Sequence, residues 1–315
     1  MSSTARFPAM PASALRILTG VFGVVWLANA AFQAEAWLLV SSARANFLHA
    51  LAKPATKVPA WIRPMLLGID RGIQAVGPEW VAGFMVAIAL GLGLALLMRV
   101  RVAAAARFGI AYSLICWVVL DGFGFPYRNG QTDPGVFIAY AIAFLFVLAV
   151  ASVLQGGQGG QEPAQQASAG GLWRAARLSF GALWLFDAAL KWLPAFLLHF
   201  RSQITSVIAG QPHWVAVWLG FIADAVTLVG PVLVAVLVGL VETLIAAGLL
   251  TGRWLRVIIP IGFAYSLSVW ASAEAFGGPY TAAGTGVRGN VLGNVLIYLI
   301  PFVFLWIAER SPRHD

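Results

Sequence analysis

The chain has 315 residues, of which 60% are hydrophobic and only 10% are charged. Because soluble domains carry about 25% charged residues, this composition excludes an ordinary soluble protein and indicates one embedded in a lipid bilayer. The net charge of +8 does not indicate nucleic-acid binding, since the basic residues stand singly or in pairs at the ends of apolar runs and form no dense patch.

Apolar runs close to the length of a membrane-spanning helix, about 20 residues, recur along the whole chain. In chain order we predict spans at residues 15–33, 80–98, 104–120, 135–154, 173–192, 230–251, 256–272 and 291–308. The apolar stretch of the first span follows Arg6 and Arg16, as in a secretory signal. Because its sequence recurs in the second half of the chain, we interpret it as a retained helix. The predicted fold is all-α, a polytopic membrane helical bundle of about eight transmembrane helices.

Two long segments between the spans, residues 34–79 and 193–229, each contain an amphipathic stretch. Apolar residues recur there at helical spacing: Met65, Ile69, Ile73 and Val76 in the first segment, and Leu197, Phe200, Ile204 and Val207 in the second. The pattern predicts external amphipathic helices that lie at the membrane surface or, alternatively, dip inward and cap the bundle.

The two halves of the chain match in a collinear series of residues roughly 153–158 positions apart. The matched pairs include Trp26 and Trp184, Tyr112 and Tyr265, Trp117 and Trp270, Phe123 and Phe276, Gly135 and Gly293, and Tyr140 and Tyr298. We predict two four-helix repeats, residues 1–155 and 171–315, joined by a flexible Gly- and Gln-rich linker at 156–170. An even number of spans makes the repeats parallel, and arginines in the short loops place both termini in the cytoplasm.

Ionisable side chains within apolar spans are costly in a bilayer and are therefore the first candidates for function. Glu242 lies near the middle of its span, where it could carry a proton, anchor a ligand or merely fix helix packing. Asp187 and Lys191 can pair on one helix face, or Lys191 could reach the membrane surface while Asp187 holds it. We predict these three as catalytic residues of the second repeat, because the first repeat has neutral Asn29 and Gln33 in place of the pair.

Four aromatic residues repeat on the third and seventh spans, Tyr112 with Trp117 and Tyr265 with Trp270. On one bundle-facing side they could sandwich a flat ring, and we predict them as binding residues for a quinone cofactor. Packing of the apolar core explains the same pattern equally well.

Charged residues also mark the loops that follow these two spans. Asp121 and Glu274 stand at equivalent positions just before two turns of the form Phe-Gly-x-Pro-Tyr. With Arg128, Tyr280 and Arg288 in the same loops, they predict a substrate entrance whose arginines suit a small anion. The alternative is a solvated loop rim with no role in binding.

Other classes of cofactor lack their motifs. None of the four histidines lies within a predicted span, so no haem is expected within the membrane. The chain has a single cysteine, Cys116, and no HExxH sequence, so no metal ion is expected either. The chain has no GxxxxGKS or GxxxxGKT loop and no strand-borne GxGxxG, which argues against nucleotide binding.

Taken together, these residues resemble DoxX-type membrane proteins. The resemblance rests on Arg177, Asp187 and Lys191, on Glu242, Gly248, Gly252 and Arg253, and on the Gly-rich loop from Gly284 to Gly293 followed by Tyr298. Each repeat looks like one DoxX-like four-helix unit, although the first has Asn29, Gln33 and Ala89 where the second has ionisable residues. The family includes the DoxD subunit of thiosulfate:quinone oxidoreductase and is similar to MauE, which implies a multi-pass protein of a bacterial or archaeal inner membrane.

Three functions are compatible with these features. The resemblance implies an integral membrane subunit of a quinone-linked oxidoreductase, with a periplasmic or membrane partner subunit and an anionic donor such as thiosulfate. A second hypothesis is a non-catalytic transport or binding module in which Glu242 couples to protons. A third is a scaffold that holds a partner enzyme at the membrane.

Overall fold

The computed structural model describes residues 11–38, 59–124, 132–154, 163–277 and 293–310. Within these ranges the chain is all-helical and has no β-strand, as the sequence predicts. The α-helices there are α1 (Ala12–Leu38), α2 (Arg63–Val76), α3 (Pro78–Leu97), α4 (Val102–Val119), α5 (Val136–Leu154), α6 (Pro163–Lys191), α7 (Pro194–Thr205), α8 (His213–Val229), α9 (Pro231–Thr251), α10 (Leu255–Ala271) and α11 (Val295–Arg310).

Five of these helices are long and apolar enough to cross a bilayer, namely α1, α3, α4, α5 and α9. A sixth span results if α6 and α7, which meet at an angle of 89°, are taken together as one broken span. Helices α8 and α10 are apolar but have only 17 residues each. The structure thus confirms a multi-pass helical membrane protein, while the number of eight spans stays a prediction.

The distribution of side chains differs from that in a soluble protein on the outside of the bundle. Besides the buried apolar core, large apolar side chains are exposed along several helices, among them Ile17, Phe84, Phe108, Phe221 and Leu237. A few polar and charged side chains are buried within the bundle, and these include Asn29, Gln33, Asp187, Lys191 and Glu242. An apolar exterior with ionisable groups turned inward is the arrangement expected of helices that face lipid.

Small residues allow the closest helix approaches. Helix α1 packs along α3, and helix α6 packs along α9. A Cβ atom at Gly23 of α1 would lie about 3 Å from α3, and one at Gly181 of α6 about 3 Å from α9, too close for an ordinary contact. In the same way a Cβ at Gly109 would overlap the ring of Phe144 between α4 and α5, and one at Gly262 would overlap Phe302 between α10 and α11. One contiguous hydrophobic core joins residues of both halves of the chain.

Two turns carry phenylalanines that anchor the shorter helices. Phe123 and Phe276 both have left-handed backbones, with φ/ψ of 58°/31° and 57°/29°. The ring of Phe123 packs with Ile62 and Leu66 around α2, and Phe276 packs with residues of α8. Left-handed φ is strained for a bulky aromatic residue, so packing of the ring must hold each turn in place.

Arg177 closes one end of the bundle. Its guanidinium donates hydrogen bonds to the carbonyls of Leu249 and Leu250 in the last turn of α9, where a cation is favoured by the helix dipole. Gly252 ends α9 with a left-handed φ of 69°, and a Cβ there would meet the Arg177 side chain. These two residues of the DoxX-like pattern therefore stabilise a helix end.

Two segments differ from the sequence-based prediction. The region 193–229 was predicted to hold one amphipathic helix, but it contains both α7 and the apolar α8, which begins after Pro212 and ends before Gly230. Helix α6 begins at Pro163, so residues 163–170 of the predicted flexible linker are helical. Proline at the first helical position and the Ala- and Gln-rich residues after it favour this earlier start.

Candidate functional site

Asp187 and Lys191 lie on the last turns of α6, just before the chain bends into α7. The Asp187 Oδ1 atom is 2.6 Å from the Lys191 Nζ atom, and both side chains are buried. The i, i+4 pair predicted from the sequence is therefore formed, within the protein and not at an exposed membrane interface.

Glu242 extends this pair from the middle of α9. Its Oε2 atom lies 3.4 Å from Lys191 Nζ, and its Oε1 atom accepts a hydrogen bond of 2.5 Å from the hydroxyl of Tyr265 on α10. Glu242 is only 2% exposed, and its Oε2 atom accepts no hydrogen bond from any part of the chain that the structure describes. We call Asp187, Lys191, Glu242 and Tyr265 the polar cluster; it joins the end of α6 to the consecutive helices α9 and α10.

A loop of the first half of the chain contacts the polar cluster in the second half. The Lys191 ammonium group donates a hydrogen bond to the carbonyl of Thr132. The adjacent Asp133 accepts hydrogen bonds at Oδ1 from the Gly135 N–H, at 2.8 Å, and from the Asn294 Nδ2 atom, at 3.3 Å. Sequence reasoning missed this crossing, because nothing in the hydropathy of residues 132–135 indicates which helix end they approach.

Aromatic rings surround the polar cluster on one side. The ring of Trp184 lies 5.8 Å from Tyr265, 5.4 Å from Tyr298 and 5.7 Å from Phe302, measured between ring centroids. Trp184 is fully buried, and its indole Nε1–H has no hydrogen-bond partner in the described part of the chain. A buried donor without a partner costs about 1–3 kcal/mol, and the matching Trp26 Nε1–H of the first half also has none in the described residues, so it is the ionisable neighbours that distinguish the place beside Trp184.

The matching place in the first half is neutral. Asn29 Nδ2 donates a hydrogen bond of 2.5 Å to the hydroxyl of Tyr140. Trp26 packs beside this pair at a tilted angle, with its ring centroid 4.9 Å from that of Tyr140 and 6.2 Å from that of Tyr112. Polar neutral side chains here and ionised types in the second half make the two places chemically different.

The four predicted cofactor-binding aromatics are distributed over both halves. Tyr265 belongs to the polar cluster, whereas Tyr112 packs against Trp26 in the first half. Trp117 donates its indole N–H to the carbonyl of Pro134 at 2.8 Å, and the ring of Trp270 packs edge-on against Phe276 at 5.2 Å. Trp184, which was not among the predicted binding residues, packs between Tyr265 of the polar cluster and Tyr298.

The two carboxylates of the predicted entrance accept hydrogen bonds from helix N-termini. Asp121 Oδ2 accepts from the Phe137 N–H at 3.3 Å, at the start of α5. Glu274 Oε1 accepts from the backbone N–H groups of Asn294, at 2.8 Å, and Val295, at 3.2 Å, at the start of α11. Negative side chains are favoured at such positions. The other predicted entrance residues, Arg128, Tyr280 and Arg288, lie outside the described residues.

The Glu274 carboxyl is unusually easy to protonate. Burial, together with the neighbouring Asp133, raises its pKa from 4.5 to about 8, although the hydrogen bonds from the backbone N–H groups of Val295 and Asn294 oppose the shift. At neutral pH this side chain is therefore largely protonated in the folded protein.

Replacing Glu274 is expected to flatten the pH dependence of stability. A carboxyl whose pKa is raised on folding stabilises the native state most below its unfolded value of 4.5, and this contribution is lost as pH rises towards 8. The melting temperature of the wild-type protein should thus fall over this range relative to that of Glu274→Gln. Thermal unfolding in mild detergent at a series of pH values measures this, and parallel pH profiles would contradict it.

No metal site is evident among the residues that the structure describes, because no three or more His, Cys, Asp or Glu side chains there are grouped to hold an ion. Comparison of the chain with models of known protein families, with curated proteins and with solved structures finds no match. The function is therefore argued from the polar cluster and its surroundings, and the resemblance to DoxX-type proteins stays a prediction from the sequence.

Proposed function

We propose that this chain is an integral membrane subunit of a quinone-linked oxidoreductase that binds a quinone beside the polar cluster. The observation that carries the proposal is the buried Asp187–Lys191–Glu242–Tyr265 group against the aromatic wall of Trp184 and Tyr298. In a membrane protein, ionisable side chains that face the bundle interior are costly and mark functional sites.

Two buried polar atoms that make no hydrogen bond in the described part of the chain support the fit of a quinone ring. The Trp184 Nε1–H is a donor suited to a carbonyl oxygen, and Glu242 Oε2 is positioned to accept from, or when protonated donate to, a second oxygen. The flat rings of Trp184, Tyr265 and Tyr298 are the kind of surface on which a planar ring packs.

When bound, the quinone would supply the redox chemistry, taking up two electrons and two protons on reduction to a quinol. The electrons would come from a redox centre of a partner subunit that oxidises a small anionic donor. Tyr265 and Glu242 hold protons within hydrogen-bonding reach of one another, and Lys191 keeps a proton donor next to both carboxyls.

The DoxX-like architecture is part of the same proposal: two parallel four-helix repeats, eight spans and both termini in the cytoplasm. Support comes from equivalent backbone features, because Gly77 and Gly230 have φ values of 98° and 106° before α3 and α9. The paired turns at Phe123 and Phe276 have nearly identical dihedrals. Duplication with loss of charge in the first repeat leaves a single working site.

Photolabelling of the full chain with an azido-quinone tests the proposal. Specific labelling, meaning labelling that an excess of ordinary quinone prevents, should map to α6, α10 or α11. Trp184→Phe should weaken quinone binding by about tenfold, because one hydrogen bond is lost. Trp26→Phe, at the matched position of the first half, is the control and should leave labelling unchanged. Label that is not displaced, or that falls equally on both halves, would contradict quinone binding at the polar cluster.

A further inference from the structure

A series of polar side chains leads from the loop end of the bundle to the buried Glu242. Glu274, Asn294 and Asp133 are half-buried, whereas Asp187, Lys191 and Glu242 are 6%, 7% and 2% exposed. Burial thus increases along the series, as expected of a route from solvent to an interior site.

Asn294 joins the two outer carboxyl groups. Its backbone N–H donates to Glu274 Oε1 at 2.8 Å, and its side-chain Nδ2 atom donates to Asp133 Oδ1 at 3.3 Å. The two carboxyls therefore lie at opposite ends of one residue, although they belong to loops from different halves of the chain.

Asp133 is also next to the polar cluster. The carbonyl of the preceding residue, Thr132, accepts a hydrogen bond from the Lys191 ammonium group. Because Asp133 directly follows Thr132, it lies at the edge of the polar cluster, and Asn294 connects it to Glu274 on the outer side. It is the residue of the series that neighbours both the outer carboxyl and the inner ones.

The charges of the polar cluster do not balance without an added proton. Among the described residues, the carboxyl groups of Asp187 and Glu242 both lie against the one ammonium group of Lys191. Excess negative charge is expensive in a buried, low-dielectric site, so one of these two carboxyls must carry a proton. Their proton content can change only if protons have a way in.

We propose that Asp133 is the relay carboxyl through which protons pass between Glu274 at the loop end and the polar cluster. The inference deepens the proposed function by giving its protonatable site a proton supply. It rests on that site but does not depend on which ligand the site binds.

The transfer balances at each step. The protonated Glu274 carboxyl passes its proton through water to Asp133 and then to Asp187, and Glu274 takes up another proton from the loop end. Lys191 gives a proton to Glu242 Oε2, 3.4 Å from Nζ, and regains one from Asp187, to which it is bonded at 2.6 Å. Glu242 ends protonated, Lys191 ends as an ammonium group, and Asp133 and Asp187 end as carboxylates ready for the next proton.

The test follows the protonation of Glu242 in the full chain after a rapid change of pH. Infrared spectroscopy detects the C=O stretch of a protonated carboxyl, and the band of Glu242 is assigned by its loss in Glu242→Gln. In Asp133→Asn, which keeps the Oδ1 acceptor, the band should rise about 100-fold more slowly, the scale at which a positioned acid–base group acts. Its final amplitude should match that of the wild type.

Two further variants separate a relay from a structural role. Asp133→Glu restores an acid and should restore the rate, while Asp224→Asn on the exposed face of α8 should leave it unchanged. A wild-type rate in Asp133→Asn, a Glu242 band that does not respond to pH, or failure of Asp133→Glu to recover would each overturn the relay. None of these outcomes affects the photolabelling result, so failure of the relay and failure of quinone binding are distinguishable.

Discussion

Lys191→Met is expected to destabilise the protein more than any other single substitution in the polar cluster. The change leaves Asp187 and Glu242 buried without the ammonium group that lies 2.6 Å and 3.4 Å from their oxygens. Removing one partner from a buried ionic group costs about 3–5 kcal/mol, because the remaining charge is uncompensated. The substitution also removes the hydrogen bond to the Thr132 carbonyl that ties the first half of the chain to the second.

The first half offers a matched control for this experiment. Gln33 occupies the position equivalent to Lys191, and it is buried and uncharged. Gln33→Met should cost no more than about 1–2 kcal/mol, because only a neutral side chain is lost. Adding Asp187→Asn and Glu242→Gln to Lys191→Met should restore much of the stability. Thermal unfolding in one detergent compares these variants, and equal melting temperatures for Lys191→Met and Gln33→Met would contradict an ionic cluster.

Glu242→Gln is expected to lower quinone reduction by the intact complex about 100-fold or more, since loss of a positioned acid–base group has effects of that size. The amide keeps an oxygen that can accept the Tyr265 hydrogen bond, now 2.5 Å long, but it cannot exchange a proton. Stability should be unchanged or higher, because one buried charge is removed. A large loss of activity together with an intact fold would separate chemistry from structure.

The same variant distinguishes the competing functions. Asn29→Ala, in the neutral first half, serves as the control that should leave quinone reduction unchanged. If Glu242→Gln abolishes solute uptake into proteoliposomes but spares quinone reduction, the chain is a transport module. If it changes neither activity, the polar cluster only supports the fold and the chain is a scaffold.

Much of the fold could be predicted because hydropathy directly reports burial in a membrane. The apolar runs predicted the long helices, and their rare ionisable residues predicted the Asp187–Lys191 pair and the buried Glu242. Helical spacing alone placed Asp187 beside Lys191, since residues four apart share a face.

Contacts between distant segments could not be predicted in the same way. Hydropathy indicates that Glu242 is buried. It does not indicate that α9 brings Glu242 next to the end of α6, or that the Tyr265 hydroxyl donates a hydrogen bond to it. The hydropathy pattern also gives no sign that Thr132 and Asp133, in the first half of the chain, lie next to the polar cluster in the second half. Helix α8 does not stand out in the hydropathy pattern, because its 17 residues are short for a membrane span and follow the short helix α7 within one long segment between predicted spans.

The most direct test of the central claim is the quinone content of the purified full chain. The organic extract of protein in mild detergent would be analysed by chromatography, as isolated and after loading with excess quinone. The proposal predicts a single retained quinone per chain, because only the second half has the polar cluster. The retained amount of quinone should be lower in Trp184→Phe than in Trp26→Phe. Protein that retains no quinone even after loading would contradict the claim that the polar cluster is a quinone site.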